Sequence, residues 1–278
     1  MREQVQEISV RDLHSFRNHP FQVKDDESLQ ALCGSIREYG VLSPLLARPT
    51  DDGFEIVSGH RRKAVALRLG LDRLPVLVQD MSDDEAVILM VDSNIQRENL
   101  LPSEKAFAYK MKLEALKHQG KATSSQVGTK LRSDDLLADS VGESRMQIQR
   151  YIRLTNLTKP ILDMVDTQRI AFSPAVELSY LTRPEQAELW DLMQSEDCTP
   201  SLSQAIRMKK LSQQVKLTPE VMFSILTEEK PNQKEQVRIK TEALRKYFPK
   251  SYSAEQMEQA ILKLLENQYR AKHRGQER

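Results

Sequence analysis

The chain has 278 residues, of which 39% are hydrophobic and 29% charged, a balance that predicts a soluble, helix-rich protein of two or three modest domains. No segment reaches the roughly 18 apolar residues of a membrane span, and the polar start of the chain is unlike a signal peptide. Cys33 and Cys198 lie far apart without metal-ligand spacing. We therefore expect reduced thiols in a cytoplasmic protein, with no zinc site and no membrane partner.

The net charge of +1 is unevenly distributed along the chain. After residue 200 there are 16 Lys and Arg residues against 9 Asp and Glu residues, a local +7 that leaves −6 on the first 200 residues. Binding to nucleic acid needs a basic patch and not a basic protein, so the near-neutral total does not exclude DNA as a partner.

Residues 1–100 alternate strand-like and helix-like patterns, which predicts a small α+β domain. Its predicted elements, in chain order, are a strand over residues 8–13, a helix from an N-cap at Ser28 to a stop at Gly40, a strand over 43–49, a turn at Asp52 and Gly53, a strand over 54–57, a helix over 61–69, a strand over 74–78 and a helix over 83–92. In the last of these helices we expect Ala86, Leu89 and Met90 to face inward.

A glycine and two arginines, Gly59, Arg61 and Arg62, stand where the strand over 54–57 turns into the next helix. The first N–H groups of a helix are unpaired, and its macrodipole places partial positive charge there. Arginine is mildly disfavoured at this position, so its presence favours a bound anion such as a phosphate. The alternative is an ordinary first turn with solvated arginines.

Strand signals fade after residue 100, and the rest of the chain is predicted to be helical. The predicted elements are a helix over residues 101–120, a polar loop over 121–133, a two-helix region over 134–154, short helices over 161–165, 174–181 and 185–193, connectors at 199–200 and 218–234, and a last helix over about 254–270.

The segment "DDLLADSVGESRMQIQRYIRL", residues 134–154, fits the helix-turn-helix template. Leu137 is expected to face inward, and Gly142 to take the positive φ of the turn. Ser144 is expected to cap the second helix in a capping box with Gln147. The alternative is a helical hairpin whose charged residues are merely solvated.

The exposed start of the second helix would then read DNA, because its side chains suit base edges and phosphates. The candidate DNA-binding residues are Ser144, Arg145, Met146, Gln147, Gln149 and Arg150.

Three motifs together make the chain resemble the ParB family of partition proteins. The box "GHRRKA" at residues 59–64 resembles the family's arginine box, "SNIQRENL" at 93–100 resembles its second box, and the helix-turn-helix follows at the family's spacing. The segment "NHPFQ" at 18–22 resembles a further N-terminal signature. The resemblance covers about residues 6 to 195.

The resemblance implies an α+β fold: a small ParB/sulfiredoxin-like N-terminal domain over residues 1–100, an all-α helix-turn-helix domain over 101–200 and a helical C-terminal segment over 201–278. It also implies a site-specific protein that binds a centromere-like site on double-stranded DNA as a CTP-gated clamp. Such a clamp acts in partition of a plasmid, chromosome or mobile element. The implied partners are a second copy of the chain, joined through its C-terminal segment, and a ParA-type ATPase.

Residue by residue, the resemblance implies that CTP with Mg²⁺ binds at the two boxes. The implied nucleotide-binding residues are Ser43, Gly59, His60, Arg61, Arg62, Asn94, Arg97 and Glu98, with Asn94 also near the metal. His60 and Ser93 each stand where the family usually has Glu, and a serine hydroxyl supplies no negative charge for Mg²⁺. We therefore expect nucleotide binding with weak or absent hydrolysis, and at His60 a polar rim residue.

Two other functions stay open. A transcription regulator on the same scaffold would bind promoter DNA and need no ParA partner. An enzyme on the sulfiredoxin-like fold is the second alternative, but Ser58 and Gly59 stand where sulfiredoxin carries its catalytic Cys.

Overall fold

The computed structural model describes residues 5–97, 99–122, 133–228, 244, 246–249 and 251–274. The chain divides into two compact units, residues 1–228 and 229–278. The predicted α+β class is confirmed, since the described residues form a mixed sheet followed by a long run of helices.

The sheet has five strands among the described residues, in the order β1-β5-β3-β4-β2. The strands are β1 Val5–Ser9, β2 Leu13–Ser15, β3 Leu45–Thr50, β4 Gly53–Ser58 and β5 Arg73–Val78. Antiparallel pairs join β1 to β5 and β3 to β4, while β3 to β5 and β2 to β4 are parallel.

The single strand predicted over residues 8–13 is wrong. A short 3-10 turn, Val10–Asp12, divides this stretch, and Ser9 Oγ accepts a hydrogen bond from Arg11 N at its start. The two halves become strands on opposite edges of the sheet. The apolar pattern did not reveal the bend. Ile8 and Leu13 lie on different strands but are buried in the same cluster, so both residues are apolar as in one continuous strand.

Helices of the first hundred residues cover both faces of the sheet: α2 His60–Leu69 packs on one face and α3 Asp83–Ile95 on the other, while α1 Glu27–Tyr39 packs on α2. On β4, Ile56 packs in the cluster that includes Ala66 of α2, while Val57 packs with Met90 of α3 on the other side. A strand buried on both faces reads as a continuous apolar run and not as an alternation.

Two details of these helices differ from the sequence prediction. The N-cap of α1 is Asp26 and not Ser28, since Asp26 Oδ1 accepts a 2.8 Å hydrogen bond from Leu29 N. In α3, Ala86 and Met90 are buried as expected, but Leu89 is 40% exposed.

The second half of the first unit is helical. Its helices are α4 Pro102–Ala122, α5 Ser133–Val141, α6 Arg145–Arg153, α7 Lys159–Asp166, α8 Phe172–Leu178, α9 Arg183–Ser195, α10 Leu202–Gln213 and α11 Pro219–Leu226. Helix α4 continues through the predicted stop at Gly120, and the connector predicted over 218–234 contains α11, which buries Met222 and Ile225. Most of the predicted loop over 121–133, and residues 229–234, lie outside the described residues.

Helix α4 supplies residues to three hydrophobic clusters. Ala108 packs with the N-terminal sheet, Ala106 packs with the helices from α7 onward, and Tyr109 packs with α5 and α6. This shared helix holds residues 1–228 together as one unit, and the domain boundaries at residues 100 and 200 stay predictions.

The described part of the second unit is mainly one helix, α12 Ala254–Arg274. Met257 on this helix is buried, whereas Leu262, Leu264 and Leu265 are more than half exposed. Among the described helices, none combines the length and apolarity that crossing a membrane requires.

Candidate nucleotide and nucleic-acid sites

The start of α2 is built around a glycine in a left-handed conformation. Gly59 has φ 111° and ψ 17°, and a Cβ there would lie 2.7 Å from Leu45 Cγ. The helix has no side-chain cap and no acidic residue in its first turn. The partial positive charge at the start of the helix is therefore not compensated by a capping carboxylate.

Arg61 lines a cleft of about 520 Å³ beside this helix start. The other lining residues are Gln22, Lys24, Asp26, Ser28, Arg97, Asn99, Leu100 and Glu104. Arg61 Nη2 donates a 2.8 Å hydrogen bond to Ser28 Oγ and lies 3.6 Å from Asp26 Oδ1. Ser28, which the sequence predicted to be a helix cap, therefore lines the cleft. Its contact with Arg61 joins residues 33 positions apart, so the local sequence gave no indication of it.

Arg97 faces the same cleft, and two effects lower its pKa. Burial is the larger, and the positive charge of Arg61 is the second, with Glu104 acting in the opposite direction. A lowered pKa means that the charged guanidinium is disfavoured where it stands. An anion bound between Arg61 and Arg97 would relieve this repulsion.

The two carboxylates of the cleft are already used by backbone donors. Asp26 caps α1, and the Glu104 oxygens accept from Gln22 N at 2.8 Å and from Leu101 N at 2.9 Å. Their negative charge is thereby partly satisfied, so the guanidinium groups of Arg61 and Arg97, with Lys24, are the groups of the cleft that can attract an anion.

Arg62 binds backbone carbonyl oxygens and does not face the cleft. Its Nη1 donates to the carbonyl oxygens of Ser43 at 2.5 Å and Pro44 at 2.6 Å, and burial lowers its pKa. Arg62 therefore holds the loop that enters β3, and Ser43 meets α2 through its backbone oxygen.

His60 is a structural residue, so the expectation of a polar rim residue is wrong. It is only 9% exposed, its Nε2 accepts a 3.3 Å hydrogen bond from Phe16 N, and its ring lies 3.8 Å from that of His19. Burial, followed by the nearby charge of His19, lowers the pKa of His60 to about 3. The neutral imidazole binds the backbone N–H of Phe16, just after the end of β2.

Asn94, the second residue of the second box, is only 3% exposed. Its Nδ2 donates to Met90 O at 2.7 Å and to Ser93 Oγ at 3.2 Å, while its Oδ1 has no hydrogen-bond partner among the described residues. Glu98 lies outside the described residues. In the described part of the chain no three His, Cys, Asp or Glu residues form a group that could hold a metal. Asn94 supplies one neutral oxygen, whereas Mg²⁺ is usually held by one or two carboxylates together with phosphate oxygens and water, so a metal here would depend on ligands from a bound triphosphate.

The helix-turn-helix has the local geometry that the sequence predicted. Gly142 has φ 69°, and Ser144 Oγ accepts from Gln147 N at 3.2 Å as the N-cap of α6. Leu137 and Ile148 are buried against Tyr109 of α4. The reciprocal half of the capping box does not form, because Gln147 Oε1 accepts from Arg150 Nη1 instead.

The outer face of α6 carries the predicted DNA-binding side chains. Arg145, Met146 and Gln149 are exposed, Met146 by 78%. Arg145 forms a 3.1 Å ion pair with Asp135, and Arg150 Nη2 donates to Ser173 Oγ at 2.9 Å. Both arginines are thus oriented by side chains that a phosphate or base edge could replace.

A groove of about 520 Å³ runs between α6 and α8. Its lining residues are Asp134, Arg145, Met146, Gln149, Arg150, Arg153, Val176 and Tyr180. The sequence prediction missed Arg153 and Tyr180, since no local signal shows that α8 folds back beside α6.

Comparison with known proteins gives matches over most of the first unit. The model of the ParB N-terminal domain matches residues 1–95, and that of the ParB HTH domain matches residues 98–200. The probable chromosome 1-partitioning protein ParB of Deinococcus radiodurans is 40% identical over 187 residues, which are 67% of this chain and 59% of that protein. The chromosome-partitioning protein Spo0J of Thermus thermophilus is 36% identical over 201 residues, 71% of this chain and 68% of that protein.

The match therefore spans about three-fifths of the Deinococcus protein's length and two-thirds of the Thermus protein's length. Among solved structures, C-terminally truncated ParB from Caulobacter crescentus complexed with CTP-gamma-S is 26% identical, with a TM-score of 0.32. The match covers 69% of this chain and 99% of that one.

Proposed function

The chain belongs to the ParB family, and we propose that it is a site-specific DNA-binding partition protein whose N-terminal cleft binds a nucleoside triphosphate. The observation that carries the proposal is the exposed face of α6. The opposite face of α6 is buried, since Ile148 packs with Leu137 of α5 and Tyr109 of α4. A capped helix presenting Arg, Met and Gln side chains beyond a tight turn is suited to enter the major groove.

In this proposal the start of α6 reads the DNA site. Arg145 and Gln149 are exposed and can hydrogen-bond base edges, while Ser144 and Gln147 fix the helix start. Arg150 has to exchange its hydrogen bond to Ser173 for one to DNA. Met146 supplies apolar contact, for example with a thymine methyl group.

The cleft beside α2 is the nucleotide site of the proposal. Arg61 and Arg97, which both line the cleft, would hold phosphate oxygens, and the uncapped N–H groups at the start of α2 would add further donors. The base is assigned as cytosine, and the ion as Mg²⁺, from family resemblance. With Ser93 in place of the family's Glu, the expected role of the nucleotide is to gate a clamp, with weak hydrolysis or none.

The proposed assembly is a homodimer joined through the second unit. Helix α12 exposes Leu262, Leu264 and Leu265, a set of apolar side chains that a second copy could cover. A ParA-type ATPase is the proposed partner in moving DNA, with the complex located on the nucleoid or a plasmid in the cytoplasm.

Selection of bound duplexes from a randomised DNA library tests the DNA assignment. The wild type should enrich one site, and Arg145→Ala should lose that preference, with a penalty of roughly 1–3 kcal/mol for a bidentate base contact. Arg207→Ala is the matched control, since Arg207 on α10 is a similarly exposed arginine with one ion pair, to Glu228 just after α11. Equal enrichment by all three proteins would contradict the recognition-helix assignment.

Calorimetric titration of CTP, ATP and GTP tests the cleft. Selective binding of CTP that Arg61→Ala weakens supports the nucleotide assignment. Failure of all three nucleotides to bind, with and without DNA, would reduce the protein to a helix-turn-helix DNA binder.

A further inference from the structure

Tyr180 lies just after α8 and holds two cationic side chains against its ring. Arg153 Cζ and Lys209 Nζ are each 3.8 Å from the ring centroid. Tyr180 is 39% exposed and lines the groove beside α6. Within the described residues, the Tyr180 hydroxyl makes no hydrogen bond, so it is free to donate one to a ligand.

Of the two cations, only Lys209 has a carboxylate partner in the described chain. Its Nζ lies 2.9 Å from a carboxylate oxygen of Glu177, which neutralises its charge. Arg153 instead donates its Nε to Ser179 Oγ at 3.2 Å and its Nη2 to Ser179 O at 3.3 Å. These bonds to neutral acceptors orient the guanidinium but leave its charge unpaired at the groove.

The position of Arg153 on α6 fits the width of the DNA groove. Arg145 is the first residue of α6 and Arg153 the last. Eight residues at about 1.5 Å each separate their Cα atoms by roughly 12 Å, about the width of the major groove. When the start of α6 reads bases, its end therefore reaches a phosphate strand at the groove's edge.

We propose that Arg153 and the Tyr180 hydroxyl bind one phosphate of the DNA backbone beside the bases that α6 reads. The inference rests on the proposed DNA-binding function and adds a contact that is independent of sequence. Lys209, neutralised by Glu177, is a positioning residue that keeps the Tyr180 ring in place. A phosphate contact of this kind fixes the register of the protein on the duplex and carries no sequence information.

Two variants separate this role from simple packing of α6 on α8. Tyr180→Phe keeps the ring and both cation contacts but removes the hydroxyl. It should weaken binding to specific and mixed-sequence duplexes alike, by roughly 3- to 10-fold, with an unchanged Tm. Arg153→Gln should lower the slope of log K against log salt concentration by about 0.9, the value for one lost phosphate contact.

Tyr39→Phe is the control, because Tyr39 is 62% exposed at the end of α1. If Arg153→Gln is unstable, the DNA affinity of Tyr180→Phe alone tests the proposed phosphate contact. Wild-type affinity for mixed-sequence duplex in Tyr180→Phe would overturn the phosphate site. The proposed function survives that result if Arg145→Ala still loses site preference, whereas a wild-type protein that binds no DNA overturns both.

Discussion

Replacement of Arg62 by alanine should lower the stability of the N-terminal ParB domain and not only affect ligand binding in its cleft. Arg62 Nη1 donates to the carbonyl oxygens of Ser43 and Pro44 at 2.5 and 2.6 Å. A hydrogen bond from a charged donor contributes about 1.5–3 kcal/mol, and water can replace the one at the exposed Ser43 carbonyl. We expect Arg62→Ala to lose about 2–3 kcal/mol of unfolding free energy, a fall in Tm of roughly 4–12 °C for a unit of this size.

Arg61→Ala should show the opposite pattern. Its partners, Ser28 and Asp26, are exposed, and a surface ion pair contributes at most about 1 kcal/mol. The Tm should therefore stay close to the wild-type value. Affinity for CTP should fall by roughly 10- to 100-fold, because one of the two guanidinium groups that face the cleft is lost.

Thermal unfolding without ligand, followed by calorimetric titration of CTP below the lower Tm, measures both quantities. Arg68→Ala is the control for charge loss on α2, since Arg68 is exposed in its last turn and pairs with Asp25 at 2.8 Å. An Arg62→Ala protein with wild-type Tm and no CTP binding would refute the division of roles. So would an Arg61→Ala protein that is unstable yet binds CTP normally.

Two further changes test the start of α2. Gly59→Ala forces a Cβ to within 2.7 Å of Leu45 Cγ at a positive φ, so urea unfolding should show a loss of about 2–3 kcal/mol. Gly34→Ala in α1 meets no atom within 4 Å and should be neutral or slightly stabilising. His60 stays neutral in the fold with a pKa of about 3, whereas the unfolded chain protonates it near pH 6.5. The free energy of unfolding should therefore fall as the pH drops below 6.5, by about 2 kcal/mol at pH 5. His60→Gln should remove that part of the pH dependence. An equally steep dependence of stability on pH in the variant would contradict the assignment to His60.

Local chemistry made part of the structure predictable from the sequence. The turn glycine Gly142 and the cap Ser144 depend on contacts within three or four residues, so the helix-turn-helix could be located without a structure. The helix stops at Gly40 and Gly70 follow from the same short-range rules, and both glycines have a positive φ. For the same reason, Gly59 and its neighbours alone were enough to predict an anion site at the arginine box, and that site stays a prediction.

Contacts distant in sequence decided the rest. Arg61 and Arg62 are adjacent and chemically identical, yet successive helix residues point about 100° apart, so only the packing of α2 on the sheet sends one to the cleft and the other to Ser43 and Pro44. His60 is buried because β2 and the chain after it fold over the box and bring His19 onto its ring. Periodicity describes which face of a helix is apolar, but it does not say what that face meets. The two sides of each proposed site are assembled only when distant elements pack together.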